Sequence, residues 1–206
     1  MQIKSKYIVV SLRSYLSDHH GLGENELIQI LSEFSCELNP DVDRFLKKSA
    51  IEFTKKNQSV TYLVFTVEDA LLVAYFTIAV KPLVVRGEMV DEKMSNRTKN
   101  KIKRVSDLDE TTQSYNMAAY LIAQLGKNYS GDANQRIKGS ELLDLAWTVV
   151  EQMQQLGGGM VVFLEANNEP ELLKFYTDNG FQRFDTRRTA SRDQEPHELV
   201  QLLRLL

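Results

Sequence analysis

The run from Tyr120 to Phe184 constrains the fold more than any other part of the chain, because it sets strand and helix patterns in strict alternation. Tyr120–Leu125 reads as a strand that ends in Gly126-Lys127-Asn128. A polar loop, Tyr129–Lys138, leads to a helix beginning near Gly139-Ser140, whose core face is Leu142, Leu143, Ala146, Val149, Val150 and Met153. Met160–Leu164 reads as a continuous apolar strand. Asn168 with Glu171 three residues on suggests a capping box, and Leu172, Leu173 and Tyr176 follow at helical spacing. Gly180 stands where a left-handed C-cap belongs, with Phe181 as its hydrophobic contact.

The flanking sequence completes a mixed α/β pattern. Tyr7–Leu12 suggests a first strand. Leu27, Ile30, Leu31 and Phe34 give Asn25–Phe34 an amphipathic helical face. Asn39-Pro40 reads as an N-cap with proline at the first helical position. Val42, Phe45, Leu46, Ala50 and Phe53 then carry that second helix to Lys55. Val60–Val67 and Leu71–Val80, parted by Glu68-Asp69-Ala70, form a hairpin signal. Phe181–Thr186 and Leu199–Leu205 add two late strands. This order suggests a sheet with both parallel and antiparallel pairs.

Between the halves, Arg86–Gln113 is polar and reads as a solvated loop or short helix. Within it, Lys93, Arg97, Lys99, Lys101, Lys103 and Arg104 occur without an intervening acid. A second reading is a basic surface for an anionic partner, nucleic acid included.

Composition excludes several classes of function. A length of 206 residues fits one domain and a real core. A net charge of −3 gives no general field for nucleic acid. No apolar run reaches the ~18 residues of a membrane span, and Met1–Tyr7 lacks a signal core; a cytoplasmic protein is expected. Cys36 is the sole cysteine, which excludes an internal disulfide and cysteine-rich zinc sites, and beside Phe34 it suggests a buried hydrophobe. His19, His20 and His197 are the only histidines. The adjacent pair reads as an exposed turn before Gly21, and no metal site is expected.

The chemistry centres on the first turn of the helix at Gly139, whose amides lack intrahelical partners and together with the macrodipole favour an anion. Gly139 admits a phosphate close to the backbone, with Arg136 and Lys138 adjacent. Tyr176 supplies a phenol, for which an ordinary core aromatic is the alternative.

The order of elements and the run Phe175-Tyr176…Asn179-Gly180-Phe181 resemble the GNAT superfamily of acyl-CoA-dependent N-acetyltransferases, over roughly Asp41 to Phe184. That resemblance implies a mixed, mostly antiparallel sheet flanked by helices and splayed in the middle to hold acyl-CoA. It also implies a single domain, with residues 1–39 as an N-terminal extension. The family's pyrophosphate pattern, Gln/Arg-x-x-Gly-x-Gly/Ala, falls on Asn134-Gln135-Arg136-Ile137-Lys138-Gly139. The last glycine is kept; Asn134 replaces Gln or Arg, and Ile137 replaces the middle glycine. The expected acetyl-CoA contacts are therefore Leu125, Gly126 and Lys127 for the pantetheine arm, and Asn134, Gln135, Arg136, Ile137, Lys138, Gly139, Ser140 and Asn168. Tyr176 is expected as general acid on the leaving thiolate, and Glu165 at its strand end is a candidate base, with a water chain or an already neutral amine as alternatives.

Asp43-Arg44-Phe45-Leu46, Thr61-Tyr62-Leu63-Val64-Phe65 and Val73-Ala74-Tyr75-Phe76-Thr77-Ile78-Ala79 resemble a narrower group. These are acetyltransferase toxins of bacterial toxin–antitoxin pairs, which imply aminoacyl-tRNA as acceptor. Gln124 stands where that group often has arginine. A non-catalytic CoA-binding or interaction module is the third reading. The acceptor amine, and whether the chain is a monomer or a homodimer, stay open.

Overall fold

The computed structural model describes residues 5–17, 23–189 and 196–206. The turn expected at His19-His20 lies outside them. The strands are β1 (Tyr7–Ser11), β2 (Val60–Thr66), β3 (Leu72–Arg86), β4 (Leu108–Asp109), β5 (Ser114–Lys127), β6 (Val161–Asn167), β7 (Gln182–Arg188) and β8 (Glu198–Leu205). The helices are α1 (Leu12–Tyr15), α2 (Glu24–Ser32), α3 (Pro40–Lys48), α4 (Ala50–Lys55), α5 (Gly87–Lys93), α6 (Asn96–Val105), α7 (Gly139–Gly157) and α8 (Pro170–Asp178). The strands form one sheet in the order β1-β2-β3-β5-β6-β8-β7, with β4 on β5. The expected mixed, mostly antiparallel sheet with flanking helices is what forms.

The chain divides into two compact units, Met1–Ala79 with Ile122–Val149, and Val80–Leu121 with Val150–Leu206. In the first, β1 pairs antiparallel with β2, and β2 with β3. The turn between β2 and β3 puts Ala70 at φ 54°, and Thr66 and Asp69 close it with a side-chain hydrogen bond. Among the described residues before 39, β1 continues the sheet and Leu27, Leu31 and Phe34 join the core. That core also holds Cys36, Leu46, Leu63 and Tyr75. Cys36 is buried, as its apolar setting suggested, and burial pushes its thiol pKa up.

The expected single helix from Asn39 to Lys55 is broken. Asn39 does cap α3, accepting from the amides of Asp41 and Val42. The chain then leaves helical geometry at Ser49 (φ −122°, ψ −29°) and restarts as α4. The break rotates the buried face onto Ala50, Ile51 and Thr54 and leaves Phe53 40% exposed.

In the second unit one strand departs from its expected bounds. β3 runs on past Val80 through Pro82, with Leu83 and Val85 turned into the core. Of the two forms expected for Arg86–Gln113, loop or short helix, the helical one is found in α5 and α6, because Val90, Met94, Thr98 and Ile102 recur every fourth residue and are buried. Ser95 caps α6 by accepting from the Thr98 amide. β6 pairs antiparallel with β8 from Val161 to Asn167, and β7 pairs with β8. β5 pairs parallel with β6 at Tyr120↔Val162 and Leu121↔Phe163.

Candidate functional site

The expected contacts divide between the two units. In the first, Leu125, Gly126 and Lys127 end β5, Asn134 and Gln135 lie in a 3-10 turn (Ala133–Gln135), and Gly139 and Ser140 open α7. In the second, Glu165 is on β6, Asn168 precedes α8, and Tyr176 is on α8.

The end of β5 is held by packing and by one asparagine. A Cβ on Gly126 would stand 2.3 Å from Val42 Cγ1 and 3.2 Å from Tyr75 Cε1, so only a glycine lets α3 lie this close to the strand. Tyr75 is buried and donates its hydroxyl to the Val42 carbonyl at 2.6 Å. Asn128, 1% exposed, has a fully used amide. Its Oδ1 accepts from Ser35 N at 2.9 Å and Ser130 N at 3.0 Å, and its Nδ2 donates to Leu72 O at 2.7 Å. β3, the segment before α3 and the phosphate-loop candidate are thus tied to one side chain.

The start of α7 is the proposed anion cradle. Its first backbone bond runs from Leu142 N to Lys138 O, so the amides of Gly139, Ser140 and Glu141 have no intrahelical acceptor. Ile137, where the family pattern has glycine, is 2% exposed and is a core residue. The cradle also contains a carboxylate that the sequence pattern did not single out. Glu141 reaches back to accept from Lys138 N at 2.8 Å, the acidic half of a capping box. Its Oε2 also accepts from the Tyr7 hydroxyl at 3.2 Å, and that hydroxyl lies 2.9 Å from the Arg136 carbonyl oxygen, a second acceptor. The Lys138 amide, then the Tyr7 hydroxyl and Lys6, hold the Glu141 pKa below its ordinary value. Burial, with Glu141 close by, pushes Tyr7 up to about 12.

Arg136 was expected to add positive charge to the cradle. Its guanidinium is instead ringed by acids: Asp132 at 3.1 Å, Asp69 at 3.6 Å and Glu68 at 3.9 Å. The unbonded amides suit a diphosphate, while Glu141 and the acids around Arg136 oppose it. A Glu three residues after Lys138 was the available sequence signal for this arrangement; nothing marked Tyr7 as its partner.

On α8 the capping box expected from Asn168 and Glu171 does not form. The helix begins one residue later, with Glu169 at the N-cap and Pro170 at the first position. The C-terminus follows the expected design: Gly180 has φ 83°, Gly180 N bonds Thr177 O, and Phe181 N bonds Tyr176 O. Tyr176 packs edge-on against Phe175 and Phe181. It is 8% exposed, and among the described residues no hydrogen-bond partner takes its hydroxyl. Burial pushes its pKa up to about 12. Glu165 sits between two partners: Oε2 accepts from Arg187 Nη2 at 2.5 Å and Oε1 from Gln201 Nε2 at 2.8 Å.

Among the described residues no cluster of three or more His, Cys, Asp or Glu could hold a metal, and no helix is long and apolar enough to cross a membrane. No protein-family model and no curated protein matches the chain. Solved structures do share its fold. AtaT complexed with acetyl-methionyl-tRNA superposes with a TM-score of 0.58 at 15% identity, covering 94% of this chain and 93% of that one. AtaTR bound with AcCoA gives 0.55 at 14% identity, covering 97% and 93%. A KacT variant with one tyrosine replaced by phenylalanine gives 0.60 at 15% identity, covering 98% and 95%. The fold is therefore that of these proteins over nearly the whole length of each chain.

Proposed function

We propose that this protein is an acyl-CoA-dependent N-acetyltransferase that passes an acetyl group directly from acetyl-CoA to an amine. The observation that carries the proposal is the fold shared with an acetyl-CoA-bound structure over 97% of the chain. The α7 start and the buried Tyr176 support it as parts suited to the two ends of the cosubstrate. In this reading the Gly139, Ser140 and Glu141 amides meet the diphosphate. Leu125, Gly126 and Lys127 offer backbone groups to the pantetheine arm. Asn134, Gln135, Lys138 and Asn168 are further contacts.

The acceptor nitrogen attacks the thioester carbonyl, the C–S bond breaks, and coenzyme A leaves as a thiolate that must gain a proton. Backbone amides near Leu125 and Gly126 polarise the carbonyl oxygen. Tyr176 donates to the departing sulfur. With its pKa at about 12 against ~8.5 for a thiol, complete proton transfer is uphill by roughly 5 kcal/mol. Its contribution is thus a hydrogen bond that strengthens as sulfur gains charge, the proton finally coming from the amine. Glu165 is the protein group proposed to take the amine proton. Doing so would break its ion pair with Arg187, so an amine that arrives neutral makes the lower demand.

A second reading names the acceptor as the α-amino group of an aminoacyl-tRNA. It is supported by the similar fold of AtaT in complex with acetyl-methionyl-tRNA and by the uninterrupted basic run in α6. The test of both is thiol release from acetyl-CoA with small amines and with aminoacyl-tRNA, run beside calorimetry. Binding of acetyl-CoA with transfer to either acceptor class supports the enzyme. Binding without transfer to any acceptor favours the non-catalytic module. Absence of binding at ~1 mM, where a complex would be worth only about 4 kcal/mol, overturns the proposal.

A further inference from the structure

The six basic residues of 93–104 do not form one undivided patch. Lys99 and Lys103, four apart on α6, face α5: Lys99 donates to the Asp91 carbonyl at 2.5 Å, and Lys103 lies 3.8 Å from the Asp91 carboxylate. Arg97 and Lys101, also four apart, occupy another row of the helix. They line a hollow of about 230 Å³ together with Ser95, Thr98, Gln182 and Arg204.

Three features distinguish this hollow from a solvated basic helix face. It draws cations from two elements, Arg97 and Lys101 from α6 and Arg204 from β8. No Asp or Glu is among its lining residues, and Arg97 makes no ion pair among the described residues. Its walls are fixed. Arg204 Nη1 donates to Asn179 O at 3.1 Å, and its guanidinium crosses Gly180 so closely that a Cβ there would be 3.4 Å from Nε. Thr98 Oγ1 donates to Gln182 Oε1 at 3.3 Å, and Lys101 Nζ to the Leu206 main-chain oxygen at 2.9 Å. The first-turn amide of Thr98 is already used by Ser95 Oγ.

Two arginines and a lysine among the residues lining one hollow offer the donor chemistry that suits a phosphate group, which arginine binds in a two-pronged fashion. We propose that this hollow binds a phosphate oxyanion, separate from the α7 cradle and independent of whether the chain transfers acetyl groups. Free phosphate and the phosphodiester of a polynucleotide offer the same chemistry.

The test uses the full chain, its backbone and arginine side-chain resonances followed by NMR. One arm titrates inorganic phosphate and the other a single-stranded RNA hexamer. The expected result is saturable shifts at Ser95, Arg97, Thr98, Gly180 and Arg204 with at least one of the two probes. Arg97→Ala/Lys101→Ala abolishes them, and Lys99→Ala/Lys103→Ala, with the same loss of charge, leaves them in place. Hexamer binding at least tenfold tighter than phosphate identifies a polynucleotide as the source; phosphate binding without that gain identifies a small anion. Thermal unfolding of both double variants checks that they remain folded. Shifts that do not saturate with either probe, or that both double variants weaken equally, overturn the site in favour of diffuse charge attraction.

Discussion

Tyr176 is buried among rings with its hydroxyl unclaimed, and that environment fixes what its chemistry can be. Burial pushes its pKa up to about 12, so the phenol keeps its proton throughout the range in which an acetyltransferase is assayed. Tyr176→Phe is expected to lower kcat about 10²- to 10³-fold, the usual worth of one preorganised hydrogen-bond donor to developing charge, with acetyl-CoA affinity unchanged by calorimetry. The wild-type profile should show no alkaline loss attributable to this group until pH nears about 12. A limb near pH 9 that disappears in the variant would contradict the assignment. Glu141 supports a prediction of opposite sign for affinity and stability. Its carboxylate caps the Lys138 amide yet stands where a diphosphate would have to sit. Glu141→Gln should tighten acetyl-CoA binding about 2- to 5-fold, from the ~0.3–1 kcal/mol that a charge at a helix end is worth. It should cost the free protein about 1 kcal/mol of stability. Because the folded-state pKa is lowered, the wild-type advantage is present above the ordinary carboxylate pKa, near ~4.3. It is lost as pH falls through the folded value. Chemical denaturation of both proteins at neutral and acid pH measures that closing gap.

Elements meet closely at only a few points, and Gly126 is one of them. Its missing Cβ is what allows Val42 of α3 to touch β5, and Val42 and Tyr75 are both buried. Gly126→Ala is expected to destabilise by about 1–3 kcal/mol through overpacking, read as a lower denaturation midpoint at unchanged slope. No change in midpoint would mean that α3 shifts freely, and the packing account would fail. The sequence spelled out those elements whose local signals agree with their burial. The Asn39-Pro40 start of α3, the hairpin at Glu68-Asp69-Ala70 and the Gly180-Phe181 end of α8 were legible because caps and turns are local chemistry. What misled was local chemistry overruled by packing. Apolar spacing favoured an unbroken helix through Ser49, but rotation there buries Ile51 and Thr54. The strand expected to end at Val80 in fact runs on and carries Leu83 and Val85 into the core. One buried residue in four left loop and helix both open for the charged segment that holds α5 and α6. In the candidate site, the placement of Gly139 at the start of α7 and of Tyr176 on α8 was legible from local patterns. The bond from Tyr7 to Glu141 was not, since it joins residues 134 positions apart.

At the scale of the whole molecule, charge decides how the acceptor is met. With a net charge of −3, the protein as a whole repels a polyanion, so attraction to RNA has to come from a local cationic surface. At physiological ionic strength such a surface acts over a Debye length of only ~8 Å. It therefore contributes through phosphates it touches rather than through long-range steering. On α6, Lys99 and Lys103 already face Asp91, while Arg97, Lys101 and Arg104 lie along one row, at i, i+4 and i+7. If the acceptor is an aminoacyl-tRNA, those three cations neutralise about three phosphates. The logarithm of the binding constant then falls with the logarithm of salt at a slope of about −2. Between ~50 and ~200 mM KCl, kcat/KM for aminoacyl-tRNA should drop roughly 20-fold, and Arg97→Ala/Lys101→Ala should flatten the slope to about −0.7. With a small amine as acceptor no charge contact of this kind is made, and kcat/KM should be nearly independent of salt in both proteins. A flat salt response with aminoacyl-tRNA, or a steep one that the double substitution leaves untouched, would detach α6 from acceptor binding and return the choice of amine to other parts of the chain.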